Sequence, residues 1–198
     1  MRTWKRVLFT VTALLAFSQG FAAVYYVSPA GNDANAGSQS QPWRTITRAN
    51  AMVGPGDMVY IMAGTYTDPI APARSGDPGN PIVYKNYGSD VCSLYVAGTC
   101  VDLSAKSYVV VEGIRMRIAS WIQDTPVRIS AGEHNALLHC RVYGGTTGNT
   151  TSQGDWCVIT LNDVRYTRII GNYIDRQDFA ITQDTYRGDG INLTGNNS

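Results

Sequence analysis

The chain has 198 residues, 44% of them hydrophobic and 16% charged, and a formal net charge of +1 at neutral pH. That balance excludes a disordered tail and fits one globular domain with a sizeable core. With no basic run beyond the first residues, it offers no electrostatic footprint for nucleic acid, and no nucleic-acid partner is expected.

Residues 1–22 read as an export signal. Arg2, Lys5 and Arg6 make a basic start, an apolar run follows over 7–17, and Gly20-Phe21-Ala22 supplies small residues at the cleavage positions. The run is well short of the roughly 20 residues a bilayer span needs. The mature protein is therefore expected over 23–198, secreted, periplasmic or at the cell surface, with no membrane span left after cleavage.

Val24-Tyr25-Tyr26-Val27 is a β-prone opening strand, and 28–38 is almost all turn formers. Within that loop Asn32, Asp33 and Asn35 suit either an Asx turn or oxygen ligation of Ca²⁺. Residues 42–53 are predicted as the one helix. Trp43, Ile46, Ala49 and Val53 recur at three- and four-residue steps, and Gly54-Pro55-Gly56-Asp57 stops them. This cap region, 24–57, is expected to cover the open end of a stacked β structure.

Coils are expected over 58–198. Strands are predicted over 58–62, 65–67 and 81–88, with a Gly/Pro-rich loop over 75–81. Four short alternating segments then recur: Val101-Asp102-Leu103-Ser104, Val127-Arg128-Ile129-Ser130, Ile159-Thr160-Leu161-Asn162 and Ile191-Asn192-Leu193-Thr194. Their starts lie 26, 32 and 32 residues apart (127−101, 159−127, 191−159). A second apolar stretch follows the first three, at Val109, Ala136 and Arg168-Ile169-Ile170. A unit of about thirty residues with short β pieces and no helical period between them signals stacked coils sharing one core. The predicted fold is all-β, a right-handed parallel β-helix with an N-terminal capping helix. Val101, Val127, Ile159 and Ile191 should stack in one ladder about 4.8 Å apart. The fourth unit stops after its first strand without a cap, so the domain is expected to be incomplete at its C-terminus, a fragment of a longer solenoid.

Cys92, Cys100, Cys140 and Cys157 allow three disulfide connectivities in an oxidising compartment. Cys92 with Cys100, bracketing a short loop, is the preferred bridge. Cys140 would then join Cys157, or stand as a buried small hydrophobe.

The run YYVSPAGNDANAGSQSQPWRTITRANAMVGPGDMVYIMAGTYTDPI, then GDPGNPIVYKNYG, resembles the opening of secreted right-handed parallel β-helix proteins. Shared features are the tyrosine-rich strand, the GNDxNxG loop, PGDxVY, GTY and the GNPI strand. Family 9 pectate lyases and the chondroitinase B/alginate lyase group carry similar openings. The likeness continues through SYVVVEGIRMR and GDGINLTGNN. It implies a carbohydrate-active protein binding an acidic polysaccharide, with Ca²⁺-assisted β-elimination as the reaction. In the pectate lyases a DDGFD-like stretch supplies calcium ligands, and its counterpart here is Gly188-Asp189-Gly190-Ile191-Asn192. Asp189 matches a ligand position, while Asn192 and Gly188 stand where the family has Asp. Asp178 and Asp184 are further candidate ligands.

β-Elimination also needs a base, usually Lys or Arg. After the signal only Lys85 and Lys106 remain, both far from the acidic cluster in coil number. A lysine base is thus expected beyond Ser198, with Arg176 and Arg187 (Arg165 and Arg168 beside them) as the candidates within the chain. Trp156 and Tyr186 are candidate sugar-stacking residues, though Trp121 and Tyr166, like them, suit packing between coils. His134 and His139 read as turn and surface residues, and Asn172 as an asparagine that satisfies backbone groups inside a coil. The rival reading is a non-catalytic surface, adhesive or glycan-binding β-helix. Either way, residues 23–198 alone are expected to show no lyase turnover.

Overall fold

The computed structural model describes residues 22–118, 125–143, 158–175 and 191–195. Its strands are β1 Val24–Val27, β2 Met58–Ile61, β3 Gly64–Tyr66, β4 Ile82–Asn86, β5 Cys92–Val96, β6 Val101–Ser104, β7 Val109–Glu112 and β8 Arg115–Ile118. They continue with β9 Val127–Ser130, β10 Ala136–Leu138, β11 Arg141–Tyr143, β12 Ile159–Asn162, β13 Arg168–Ile170, β14 Tyr173–Asp175 and β15 Ile191–Thr194. One helix, α1, spans Ile46–Met52.

Every pairing between these strands is parallel, and the chain visits three sheets in turn. The first sheet runs β1-β2-β4-β7-β10-β13, the second β3-β5-β8-β11-β14 and the third β6-β9-β12-β15. A parallel bridge from Ile70 to Val101 extends the third sheet back by one coil. The expected ladder is present: Val101 pairs with Val127, Val127 with Ile159, and Ile159 with Ile191. Alternation decides what each strand buries. Leu103, Ile129 and Leu161 point in with that ladder, as do Val109, Val111 and Leu137 of the first sheet and Leu94, Met116 and Val142 of the second.

The corners between sheets demand left-handed backbone, and the demand repeats in register. Ala105, Ala131, Asp163 and Gly195 leave the third sheet at φ 54°, 49°, 49° and 78°. Tyr108, His134 and Tyr166 enter the first sheet at φ 55°, 55° and 51°. Non-glycine residues rarely take this conformation. Ala105, Tyr108, Ala131, His134 and Asp163 are held by backbone bonds to the next coil, as from Ala105 N–H to Ser130 O and from Ala131 N–H to Asn162 O, 2.8 and 2.9 Å. His139, at φ 52°, is likewise an exposed corner residue.

The helix is shorter than the 42–53 read from the sequence. Trp43 bridges to Val27, its N–H donating to Tyr26 O at 2.9 Å and its carbonyl accepting from Ser28 N–H at 2.8 Å, so its backbone is committed to β pairing. Thr45 becomes the N-cap, its hydroxyl accepting from Arg48 N–H at 3.1 Å. Ile46, Ala49 and Val53 join the core of the first coils, as the stripe predicts. Asn50 ties the cap to the solenoid by donating to Pro69 O and accepting from the Tyr84 hydroxyl, each at 2.9 Å.

The loop before the helix uses its polar groups on itself. Asn32 closes an Asx turn on Ala34 N–H at 2.9 Å, and Asn35 donates to Pro42 O at 3.0 Å. Asp33 accepts from Arg44 N–H and Thr45 N–H at 2.9 Å each and from the Thr45 hydroxyl at 2.8 Å. Burial pushes the Asp33 carboxyl up. The Thr45 and Arg44 hydrogen bonds, with the nearby Arg48 charge, outweigh it and hold the group below its ordinary value. A depressed carboxylate contributes stability above its unfolded pKa and loses it as pH falls through the folded one. Asp33→Asn should therefore cost about 1 kcal/mol at neutral pH, the worth of a good cap. The gap to wild type should close under acid, as pH falls through the lowered folded-state pKa of Asp33. Urea unfolding at several pH values checks this, and a pH-independent gap would refute it.

The expected Cys92–Cys100 bridge is corrected. Cys92, Cys100 and Cys140 are free, buried thiols. The presumed loop between the first two is strand β5. Four steps of about 3.3 Å along it carry the chain roughly 13 Å before the corner to Cys100, while a disulfide needs Cα atoms within about 7 Å. Cys140 behaves as a small hydrophobe, its thiol directed at Leu138 O at 3.3 Å. The alternative bridge partner, Cys157, lies outside the described residues. Burial pushes all three thiols up to about 12. Cys92, Cys100 and Cys140 should therefore resist a thiol reagent at pH 8 in the folded Cys157→Ser variant and react at once in urea. Fast labelling of the folded protein would contradict this packing.

Candidate functional site

The motif stretch 188–192 runs directly into β15, so the third sheet is where its chemistry would be presented. Alternation sends Asp102, Arg128, Thr160 and Asn192 to the outer face in one register column. Ser104, Ser130, Asn162 and Thr194 form a second column beside it. At the early end Asp102 is already engaged. One oxygen accepts from Ser104 N–H at 3.0 Å and from the Ser104 hydroxyl at 2.6 Å, and the other lies 3.6 Å from the Arg128 guanidinium. The Ser130 hydroxyl donates to the Ser104 hydroxyl oxygen at 3.0 Å. Toward the later coils the face carries neutral oxygens: Thr160, which shares a hydrogen bond with Thr125 at 3.2 Å, then Asn162, Asn192 and Thr194.

Such a face can hydrogen-bond sugar hydroxyls. It does not make a calcium site on the described residues. Ca²⁺ takes six to eight oxygens with carboxylates prominent among them. The one carboxylate in the Asp102 column stands three register steps from Asn192 and is neutralised by Arg128. No group of three or more His, Cys, Asp or Glu suited to a metal occurs among the described residues. Asp178, Asp184, Asp189, Arg176, Arg187, Trp156 and Tyr186 all lie outside the described residues. In chain order they fall between the second sheet and the third, over 144–157 and 176–190.

Neither lysine is poised as a base. Lys85 sits on the first sheet, its Nζ 3.0 Å from the Glu112 carboxylate, and Lys106 donates to Ala73 O at 3.2 Å from a corner. Arg165 and Arg168 are exposed, at the bridge to Glu133 and on β13 of the first sheet. Tyr166 is 65% exposed and stacks on the corner of the preceding coil, its ring 4.7 Å from His134, which stacks 4.7 Å from Tyr108. Asn172 does what its position suggested, accepting from Cys140 N–H and donating to Leu137 O, both at 2.8 Å. Sequence reasoning passed over its counterpart, Asn135, and the whole outer face of the second sheet.

The family profile described as "Pel9A-like, right handed beta helix region" matches residues 25–162, well over half the chain. The chain belongs to this Pel9A-like right-handed β-helix family. Pectate lyase L of Dickeya dadantii is 36% identical over 74 residues, 37% of this chain and 16% of that protein. The uncharacterized protein YwoF of Bacillus subtilis is 33% identical over 101 residues, covering 22% of its own length. The matched stretches thus span less than a quarter of these relatives. Among solved structures, pectate lyase Pel9A superposes with a TM-score of 0.52 at 17% identity, over 89% of this chain and 61% of that one. A GH136 lacto-N-biosidase from Eubacterium ramulus gives 0.54 at 15% identity, over 86% and 40%. At these identities the superpositions show the fold alone. Among the described residues of this Pel9A-like protein, no helix is long and apolar enough to cross a membrane.

Proposed function

We propose that this Pel9A-like protein is exported and acts on an acidic polysaccharide laid against the outer face of the third sheet, as a lyase. The observation that carries this reading is register. The stretch counterpart to the pectate lyase ligand sequence enters β15, whose Asn192 lies in one column with Asp102, Arg128 and Thr160. In the reaction a base takes the C5 proton of a uronate, the freed electron pair forms the C4–C5 double bond, and the C4–O bond breaks. The departing oxygen collects a proton. Thr160, Asn162 and Asn192 would hold sugar hydroxyls across that face, and Ca²⁺, if Asp189 and its neighbours bind it, would neutralise the uronate carboxylate.

A second reading, a glycan-binding β-helix without turnover, is favoured by one specific observation. Both lysines are engaged with Glu112 and Ala73, and Asp102 is neutralised by Arg128. One experiment separates the two. The protein purified from its natural source is incubated with polygalacturonate, alginate or chondroitin sulfate, with and without Ca²⁺. Ultraviolet absorbance then reports any unsaturated uronate. Product with one polymer supports the lyase. Binding without product from any of the three replaces it with the second reading. Residues 23–198 expressed alone are expected to give no product, because no acid–base pair stands free on the described face.

A further inference from the structure

The outer face of the second sheet carries two arginines in direct register, Arg115 and Arg141. Alternation along β8, β11 and β14 puts Met116, Val142 and Ile174 on the core side and the residues flanking them on the solvent side. One outward column reads Ser93, Arg115, Arg141, Tyr173 and the next Tyr95, Arg117, Tyr143. Arg115 and Arg141 are register partners on neighbouring strands, about 4.8 Å apart in the sheet. Like charges directly opposite each other are destabilising. The other two sheets avoid this: Lys85 faces Glu112 on the first, and Arg128 faces Asp102 on the third. Neither Arg115 nor Arg141 forms an ion pair among the described residues.

Aromatic rings flank this charge. The Arg141 guanidinium lies 5.6 Å from the centre of the Tyr173 ring, and Tyr95 and Tyr173 are 43% and 51% exposed. Rings this open on a strand face do not serve the core. A guanidinium offers a planar fork that matches a carboxylate, and a tyrosine offers an apolar plate with a polar tip. Stacked one coil apart, the two chemistries suit a chain of carboxylated sugars running along the solenoid axis. Each carboxylate would meet a guanidinium while the sugar faces rest on the rings.

The geometry points to a second glycan-binding surface on this protein, formed by Tyr95, Arg115, Arg141, Tyr143 and Tyr173, which holds a polyuronate outside the third-sheet site. It rests on the proposed function for the class of polymer but not for the reaction. The surface would keep the protein on its polymer between encounters at the third sheet, and its grip should weaken with salt, because the contacts are exposed charges.

Affinity electrophoresis through polygalacturonate tests it, using the whole chain. Arg115→Gln/Arg141→Gln should weaken binding about tenfold or more, the loss of at least one charge-assisted contact. Tyr173→Ala should weaken it severalfold. Arg44→Gln removes the same charge from an exposed cap position and should bind as wild type. Fully methyl-esterified polymer should not bind. Both arginines face solvent, so a melting temperature no lower than that of wild type confirms that the double variant is folded. Arg115→Lys/Arg141→Lys should recover part of the affinity. Wild-type affinity in the Gln double variant would overturn the proposal, and so would equal affinity for double-stranded DNA, which would reduce the face to a general polyanion binder. Turnover by wild type with arginine-independent binding would sink this surface and leave the lyase standing. Arginine-dependent binding without turnover would do the reverse.

Discussion

Trp43→Ala is expected to destabilise the protein by about 4 kcal/mol, the upper range for deleting a buried aromatic. Trp43 is 2% exposed and does three jobs at once. Its ring stacks on Tyr25 at 4.5 Å, with the Arg48 guanidinium 5.8 Å away on the ring. Its indole N–H donates to Asn35 O at 2.9 Å, fixing the turn-rich loop. Gly37, at φ 78°, packs so closely against the indole that even a methyl group there would collide with it. Removing the ring leaves a void bounded by loop, β1 and helix, and collapse would have to move the backbone that pairs Trp43 with Val27. Trp43→Phe separates the terms. It keeps most of the packing and loses the indole hydrogen bond, so about 1–2 kcal/mol is expected. Urea unfolding followed by circular dichroism measures both. A cost below about 1 kcal/mol for the alanine variant would mean that the cap does not hold the first coil closed.

The cap, the first sheet and the third sheet were legible in the sequence for one physical reason. Most of their strands carry two inward apolar residues two apart, as in Val101 with Leu103 or Ile159 with Leu161, and the pattern recurs once per coil. In the second sheet only β5 and β8 carry that signal. β11 and β14 are three residues long with a single inward side chain each, Val142 and Ile174, and no period can be read from one residue. β5 was hidden differently. The cysteines at and beyond its ends invited a covalent explanation for a stretch that is simply a strand with Cys92, Leu94 and Val96 facing in. Missing this sheet also concealed the Arg115–Arg141 column. Those residues stand 26 apart in the chain (141−115), and nothing makes them neighbours until the coil register is known. The acidic cluster near Asp189 was visible because its members crowd together in sequence. Whether they converge is decided by the corners between the second sheet and the third.

Asn135→Leu should cost about 3 kcal/mol although it adds apolar volume to an apolar interior. Asn135 is fully buried, and it stands at the corner before β10 where two backbone groups of the preceding coil have no strand partner. Its Oδ1 accepts from Val109 N–H at 3.0 Å, and its Nδ2 donates to Lys106 O at 2.7 Å. Leucine fills the space and orphans both groups, each at a desolvation cost of about 1–3 kcal/mol. Some of that is returned by burying the isobutyl group, which leaves a net near 3 kcal/mol. Asn135→Asp tests the hydrogen-bond account without changing shape. The carboxylate keeps the acceptor for Val109 but has nothing to donate to Lys106, unless it binds a proton. Its penalty should therefore be large at neutral pH and shrink as the solution is acidified toward the point where the folded-state carboxyl protonates. A buried carboxyl without a cation has its folded pKa raised, so the unfolded state releases the proton first and stability falls as pH rises. Urea midpoints for wild type, Asn135→Leu and Asn135→Asp between mildly acidic and neutral pH supply the comparison. If the Asp variant's deficit is the same at both ends of that range, the Lys106 carbonyl is satisfied by something other than the Asn135 amide.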